Sequence, residues 1–264
     1  MKAIKTGDAM SIAKQAFLLI LLIGLIVSPV SADELFSFKA GYLKLTPDGD
    51  FAVSGGGLEG TKVDMDDDLG FDDSEDFVLD AALQVGPLRL FGGYLPIEFS
   101  GDGTLSEDIT FNGEVFSAGS EVKSDVDIDI YEAALAWHLI NFDDLPTRVQ
   151  LGPEVSVKYI DASIDMKDRL SGLKVSESIS VPVPTIGLRG RVALADFFGV
   201  AARAGYLEYD GNSFLDLDAQ IEFSPVPLVG LYAGYRYLDI DVEEDDVVID
   251  ASFDGPYAGA LIRF

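Results

Sequence analysis

From residue 34 to its carboxy-terminus the chain alternates between apolar and polar residues at a period of two, segment after segment. That period is the signature of β-strands, whose successive side chains point to opposite faces. Glu34 to Thr46 is the first predicted strand, with Phe36, Phe38, Ala40 and Tyr42 on one face and Ser37, Lys39 and Gly41 on the other. Phe77 to Val85 and Leu88 to Ser100 follow around the tight turn Gly86-Pro87. Gly92-Gly93 and Pro96 predict a bend or bulge in the second of them. Val126 to Leu139, Thr147 to Tyr159, Ile179 to Leu194, Gly199 to Tyr209, Phe214 to Phe223, Leu228 to Asp241 and Val247 to Phe264 complete a set of ten. Between them lie polar stretches at 47–75 and from Tyr159 to about Ser178. A further short pair, Ile109-Thr110-Phe111 and Glu114-Val115-Phe116, flanks Asn112-Gly113, a strong hairpin signal. It is expected to rise above the rest as a ribbon.

Alternation alone does not say which face is inside. A soluble sandwich or lipocalin-like barrel keeps apolar residues inward; a membrane barrel reverses this. Aromatic residues cluster near strand ends on the apolar faces (Tyr42, Tyr131, Trp137, Tyr159, Tyr206, Tyr235, Tyr237), as interfacial girdles do. The opposite faces carry full charges that a dry core would penalise. Connections at 86–87, 141–146, 196–198 and 225–227 are short, while most others are longer and acidic. The expectation is therefore an all-β, transmembrane, antiparallel up-and-down β-barrel of ten strands, with eight or twelve as the alternatives. Its apolar face points outward and its polar face inward. An even strand count places both termini on the periplasmic side.

Export fits this reading. Lys2, Lys5 and Lys14 precede an apolar run from Ala16 to Val27, and Val30-Ser31-Ala32 supplies small residues for cleavage. Residues 1–32 read as a secretory signal peptide, too short to anchor, and 33–264 as the barrel with acidic extracellular loops. Cysteine is absent, which excludes disulfides, thiolate metal sites and cysteine nucleophiles. Of 46 Asp+Glu and 18 Lys+Arg, removal of the leader takes one Asp and three Lys, leaving 45 against 15 and a net charge of −30. Such a surface repels nucleic acid.

Gly259, Ile262 and Phe264 form a Gly-x-x-apolar-x-Phe ending. It resembles the terminal signal of bacterial outer-membrane β-barrel proteins, in which the last strand is read by the assembly machinery and closes the barrel. Gly60-Thr61-Lys62-Val63-Asp64 through Leu69-Gly70-Phe71-Asp72-Asp73, and Pro96-Ile97-Glu98-Phe99-Ser100-Gly101-Asp102 through Phe111-Asn112-Gly113 to Ser124-Asp125-Val126-Asp127, are similar to small Gram-negative outer-membrane barrels, mostly of unassigned function. The resemblance covers about half the mature chain. It implies a location in the outer membrane, lipid and lipopolysaccharide as surroundings, the barrel-assembly machinery as a partner during biogenesis, and a monomer. It carries over no catalytic residue.

The candidate chemistry lies in the lumen. Lys39, Asp80, Glu132, Glu154, Arg189, Arg191, Arg203, Asp218 and Arg236 fall on inward faces at similar depth. Acids and bases alternate around the ring, with Lys39 beside Asp80, Glu154 beside Arg189, and Asp218 between Arg203 and Arg236. Paired charges are tolerated where single ones are costly, so a salt-bridge network closing the lumen is expected; a narrow ion-selective pathway is the alternative. Asp64, Asp66, Asp68 and Glu75 approach the spacing of a calcium loop, but Gly70 falls one residue late and no helices flank it. Solvated loop charge is the simpler account. His138 is the single histidine. Outer-membrane proteases with ten strands place a His at the outer rim, whereas His138 precedes a short turn at the other end. Outer-membrane lipid A deacylases carry a Ser two residues after their His, where this chain has Ile140. The expected protein has no enzymatic activity and no cofactor, with a structural, adhesive or ligand-binding role at the surface.

Overall fold

The computed structural model describes residues 35–142, 148–195, 197–226, 228–244 and 247–264. The expected signal peptide and parts of the lower turns fall outside these. Fourteen strands occur among the described residues: β1 (Phe36–Val53), β2 (Val63–Asp64), β3 (Ser74–Val85), β4 (Leu88–Thr104), β5 (Ile109–Phe111), β6 (Glu114–Phe116), β7 (Glu121–Trp137), β8 (Ile140–Phe142), β9 (Arg148–Asp168), β10 (Lys174–Ala195), β11 (Phe198–Tyr209), β12 (Asn212–Val226), β13 (Val229–Glu244) and β14 (Val247–Arg263). Ten of them, β1, β3, β4, β7 and β9 to β14, pair in sequence and close antiparallel into a barrel, because β14 pairs back onto β1. β2 adds to β1, β8 to β9, and β5 and β6 form a separate hairpin. Among the described residues no helix is long and apolar enough to cross a membrane, which says nothing of strands.

The wall has two storeys with opposite polarity. In the lower storey the apolar face points out. Ile186 is 71% and Leu231 60% exposed on the outer wall, while Glu132, Glu154, Lys158, Arg203 and Arg236 are buried inside. Above a ring of aromatic residues the pattern inverts. Along β7, Ala133, Leu135 and Trp137 face out below Tyr131, and above it Asp125, Asp127 and Asp129 take that face while Val126, Ile128 and Ile130 turn inward. Along β9 the change falls at Tyr159: Asp161, Ser163 and Asp165 lie outside, with Ile160, Ala162, Ile164 and Met166 inside. β1 changes after Tyr42, β4 after Tyr94 and β13 after Tyr237. The expectation of an apolar exterior along the whole strand holds only for the lower storey.

Length explains why both storeys exist. A membrane crossing takes about 9–11 residues of tilted strand, but β9 has 21 and β10 has 22. The surplus stands in water, where burial favours apolar side chains inward. The stretches expected to be polar loops at 47–53 and 160–178 are therefore largely strand. Only two upper connections are long, residues 54–73 and 105–120. Both fold over the barrel mouth rather than away from it.

Those connections build an apolar cap. Leu45, Val63, Leu69, Phe111, Met166 and Leu238 are fully buried there. Phe51 meets Phe111 edge-on at 6.2 Å, and Phe99 stacks on Phe253 at 5.4 Å. The β5–β6 hairpin forms as expected, but it packs Phe111 and Phe116 into this cap instead of rising free. Gly101 and Gly103 let the 64–73 segment lie directly on β4; a Cβ at Gly103 would meet the Asp68 carbonyl oxygen at 1.9 Å. The bend expected at Gly92-Gly93 and Pro96 is absent from the β4–β7 ladder, whose register runs unbroken from Leu88 to Thr104. What Pro96 does is end the β3–β4 ladder, which stops at Tyr94 because proline has no N–H to donate.

Candidate functional site

The lower storey holds a compact ion-pair network inside the barrel. Alternation fixes who enters it: charged residues at even spacing on eight strands converge because every second side chain of a barrel faces the lumen. At its centre are two carboxylates and three cations. Glu132 receives both terminal nitrogens of Arg203 at 2.9 and 2.7 Å and the Lys158 ammonium at 3.0 Å. Asp216 receives Arg236 at 3.1 and 2.9 Å, Arg203 at 3.0 Å and Lys158 at 3.2 Å. Nearer the lower mouth Glu222 is shared by Lys39 at 2.8 Å and by Arg191 and Arg263 at 3.0 Å each. Arg189 pairs with Glu154. The guanidinium groups of Arg189 and Arg203 both lie over the inward ring of Phe91, 4.9 and 5.0 Å from its centre, where the ring's quadrupole attracts them.

The partners differ in part from those expected. Arg203, Asp218 and Arg236 do stand side by side in the ladders. Both guanidinium groups nevertheless turn to Asp216, one inward position along, and Asp218 accepts the Tyr257 hydroxyl at 2.6 Å. Lys39 is the ladder neighbour of Asp80 but donates to Glu222 on β12, three strands away in the other direction. Asp80 lines a cavity of about 30 Å³ with Lys39, Arg203 and Arg236. Lys158, Asp216 and Glu222 were not singled out from sequence. Each sits on an inward face by alternation, so the signal was present, but register across strands decides which cation reaches which acid. His138 is buried in the lower mouth with Gln150 and Arg89 nearby, at the end opposite the cap.

On the outer wall the aromatic ring marks the change of storey. Tyr94 stacks on Tyr131 at 5.0 Å. Tyrosine hydroxyls donate to carboxylates around it: Tyr42 to Glu75 at 2.8 Å, Tyr94 to Asp129 at 2.6 Å, Tyr206 to Glu208 at 3.0 Å, Tyr237 to Asp239 at 2.8 Å, and Tyr235 to Asp254. An apolar ring body with a hydrated hydroxyl suits a membrane–water boundary. The lower outer wall, apolar throughout its height and bounded by this ring, is the surface of a membrane-spanning barrel.

The acidic loop is used locally. The Asp64 carboxylate accepts the backbone N–H groups of Asp66 and Asp67 at 2.9 and 2.7 Å, and Asp68 accepts that of Asp64 at 3.0 Å. Gly70 closes the turn at φ +62°. Glu75 lies on β3 outside the barrel, held by Tyr42. Among the described residues no three or more His, Asp or Glu side chains are placed to hold a metal ion.

No protein family and no curated protein matches this chain. Solved structures do resemble it. The attachment invasion locus protein Ail of Yersinia pestis is 13% identical, covering 87% of this chain and 97% of its own, with a TM-score of 0.37. Neisserial surface protein A is 16% identical over 87% and 97%, with a TM-score of 0.38. The translocator domain of the autotransporter NalP from Neisseria meningitidis is 12% identical over 98% of each chain, at 0.41. Similarities this distant carry no role across.

Proposed function

We propose that this protein is a sealed outer-membrane barrel without catalytic activity. It holds a folded acidic domain at the cell surface for a structural, adhesive or ligand-binding role. The observation that carries the reading is the double closure of the lumen, by the ion-pair network in the spanning storey and by the apolar cap above it. A water-filled path from the mouth down the barrel axis would have to pass both. The lower ends of β1 and β14 lie together, with Phe264 and Phe36 exchanging backbone hydrogen bonds at 2.8 and 3.1 Å. This fits periplasmic termini and a terminal strand, with Gly259, Ile262 and Phe264, that is read during assembly and closes the barrel. The exposed apolar belt is then covered by lipid, and the acidic storey stands among lipopolysaccharide head groups.

The test is conductance. The folded barrel in a planar bilayer should pass no current above background. Reproducible unitary steps would reject the sealed reading in favour of a narrow channel. Lipopolysaccharide mass spectra should be identical with and without the protein; a changed acyl pattern would support a lipid-modifying enzyme instead.

A further inference from the structure

The upper storey is not closed all the way round. β10 pairs with β9 from Lys174 to Ala193, but with β11 only from Ile186 downward. β11 ends at Tyr209, so the upper half of β10 has a neighbour on one side only. Two prolines fix this edge. Pro182 and Pro184 lie opposite Tyr159 and Val157 in the β9 ladder. Residues Pro182, Pro184 and Ile186 share one parity, and Ile186 is the last of these to pair with β11. The next β11 residue in line with Pro184 is Glu208, and proline has no N–H to offer it. The ladder stops there and the wall stays open above it.

The gap exposes the inside of the barrel. Ile179 and Val181 share the inward face with buried Thr185, yet they are 51% and 37% exposed. Val183, Leu207, Ile240 and Ile249 are half-buried and pack against the cap core. Directly below the opening the outer wall is the apolar belt: Ile186 and Tyr206 point outward, 71% and 46% exposed. Apolar side chains therefore lead from the lipid-facing wall at Ile186 past Pro184 to Val183, Val181 and Ile179 on the inward face of β10, flanked by Glu208, which holds the Tyr206 hydroxyl, and by Glu177 above Ile179.

We propose that the gap between β10 and β11 admits one acyl chain of an outer-leaflet lipid, which lies against Ile179, Val181, Val183 and Leu207. The occupant is set by continuity: lipid tails already cover the belt up to the sill, and the inward side chains directly beyond it, Val183, Val181 and Ile179, are apolar. The chain enters sideways and goes no further down, because the Glu132–Arg203–Asp216 network closes the lumen beneath. This deepens the reading of the protein as a surface barrel with a ligand-binding role, and it rests on the belt being embedded in lipid.

Four tryptophan reporters in a Trp137→Phe background separate the two ideas, each in full-length mature protein folded into phosphatidylcholine vesicles brominated midway along one acyl chain. Leu188→Trp, on the belt, should lose most of its emission; if it does not, the membrane reading itself fails. Val181→Trp should also lose most of its emission, while Ser180→Trp, at the same height but facing outward, should keep its emission. Val183→Trp serves as a second inward reporter should Val181→Trp fail the gel-shift test for a folded barrel. Quenching of Leu188→Trp with unquenched Val181→Trp and Val183→Trp overturns the proposal. So does equal quenching of Ser180→Trp, which would mean that lipid reaches that height everywhere. Quenching of the inward reporters only by a brominated fatty acid added from water would also overturn it, in favour of a soluble amphiphile.

Discussion

Asp216 shows what single residues contribute here. Its side chain is 1% exposed and faces Arg203, Arg236 and Lys158. Removing the charge takes from Arg236 the carboxylate that holds it, while Arg203 and Lys158 keep Glu132; breaking one buried pair costs about 3–5 kcal/mol. Asp216→Asn should therefore lower unfolding stability by that much, measured by urea titration in vesicles, whereas Asp67→Asn on the exposed turn should change it little. Glu98 illustrates the opposite sign in the water-exposed storey. Repulsion from Asp76, then partial burial and the charges of Asp127 and Asp129, raise its carboxyl above the usual range. A raised acid opposes folding once ionised, and that penalty disappears as pH falls through its folded-state value. Glu98→Gln should raise the unfolding midpoint at about pH 7 and leave it unchanged at about pH 3. Of the lumen charges, the inward faces of Lys39, Glu132, Arg203 and Arg236 were legible from alternation. Their partners were not, because a carboxylate at Asp216 or Asp218 is equally inward and only side-chain reach selects between them.

At the scale of elements, the strands were legible where lipid surrounds them and hidden where water does. The expected boundary at Tyr159 is the point where β9 changes solvent. Beyond it Asp161, Ser163 and Asp165 look like a loop only if the exterior is assumed to stay apolar. The alternation continues with its sign reversed. The cap was missed for the same reason: Phe111 and Phe116 were assigned to a free ribbon. Phe111 is fully buried, and Phe→Ala changes in cores cost about 3–5 kcal/mol. Phe111→Ala should open the cap to external protease at 54–73 and 105–120 while the spanning strands stay protected. The edge of β10 gives a second element-level expectation. Proline blunts exposed edges against pairing with other chains. Pro182→Val with Pro184→Val restores two donors, and light scattering in detergent should then show more self-association than the unaltered barrel gives.

For the whole molecule, the two closures are independent because they rest on different physics. The network is electrostatic and lies within the membrane thickness; the cap is hydrophobic and lies in water. Replacing residues 105–120 by a short turn should leave the bilayer current at background, since the network remains. Adding Asp216→Asn and Glu132→Gln to that deletion should produce measurable conductance. Current from the loop deletion alone would mean the network does not seal.

The period of two, the even strand count, the outward belt and the charged lumen follow from the sequence by itself, because each is a local consequence of strand geometry and transfer energy. Where a strand leaves lipid is not local. The same alternating residues satisfy either solvent by choosing which face to hide, and only the assembled barrel, with its height fixed by pairing between neighbours, decides that Asp125, Asp127 and Asp129 face water while Val126, Ile128 and Ile130 form a core.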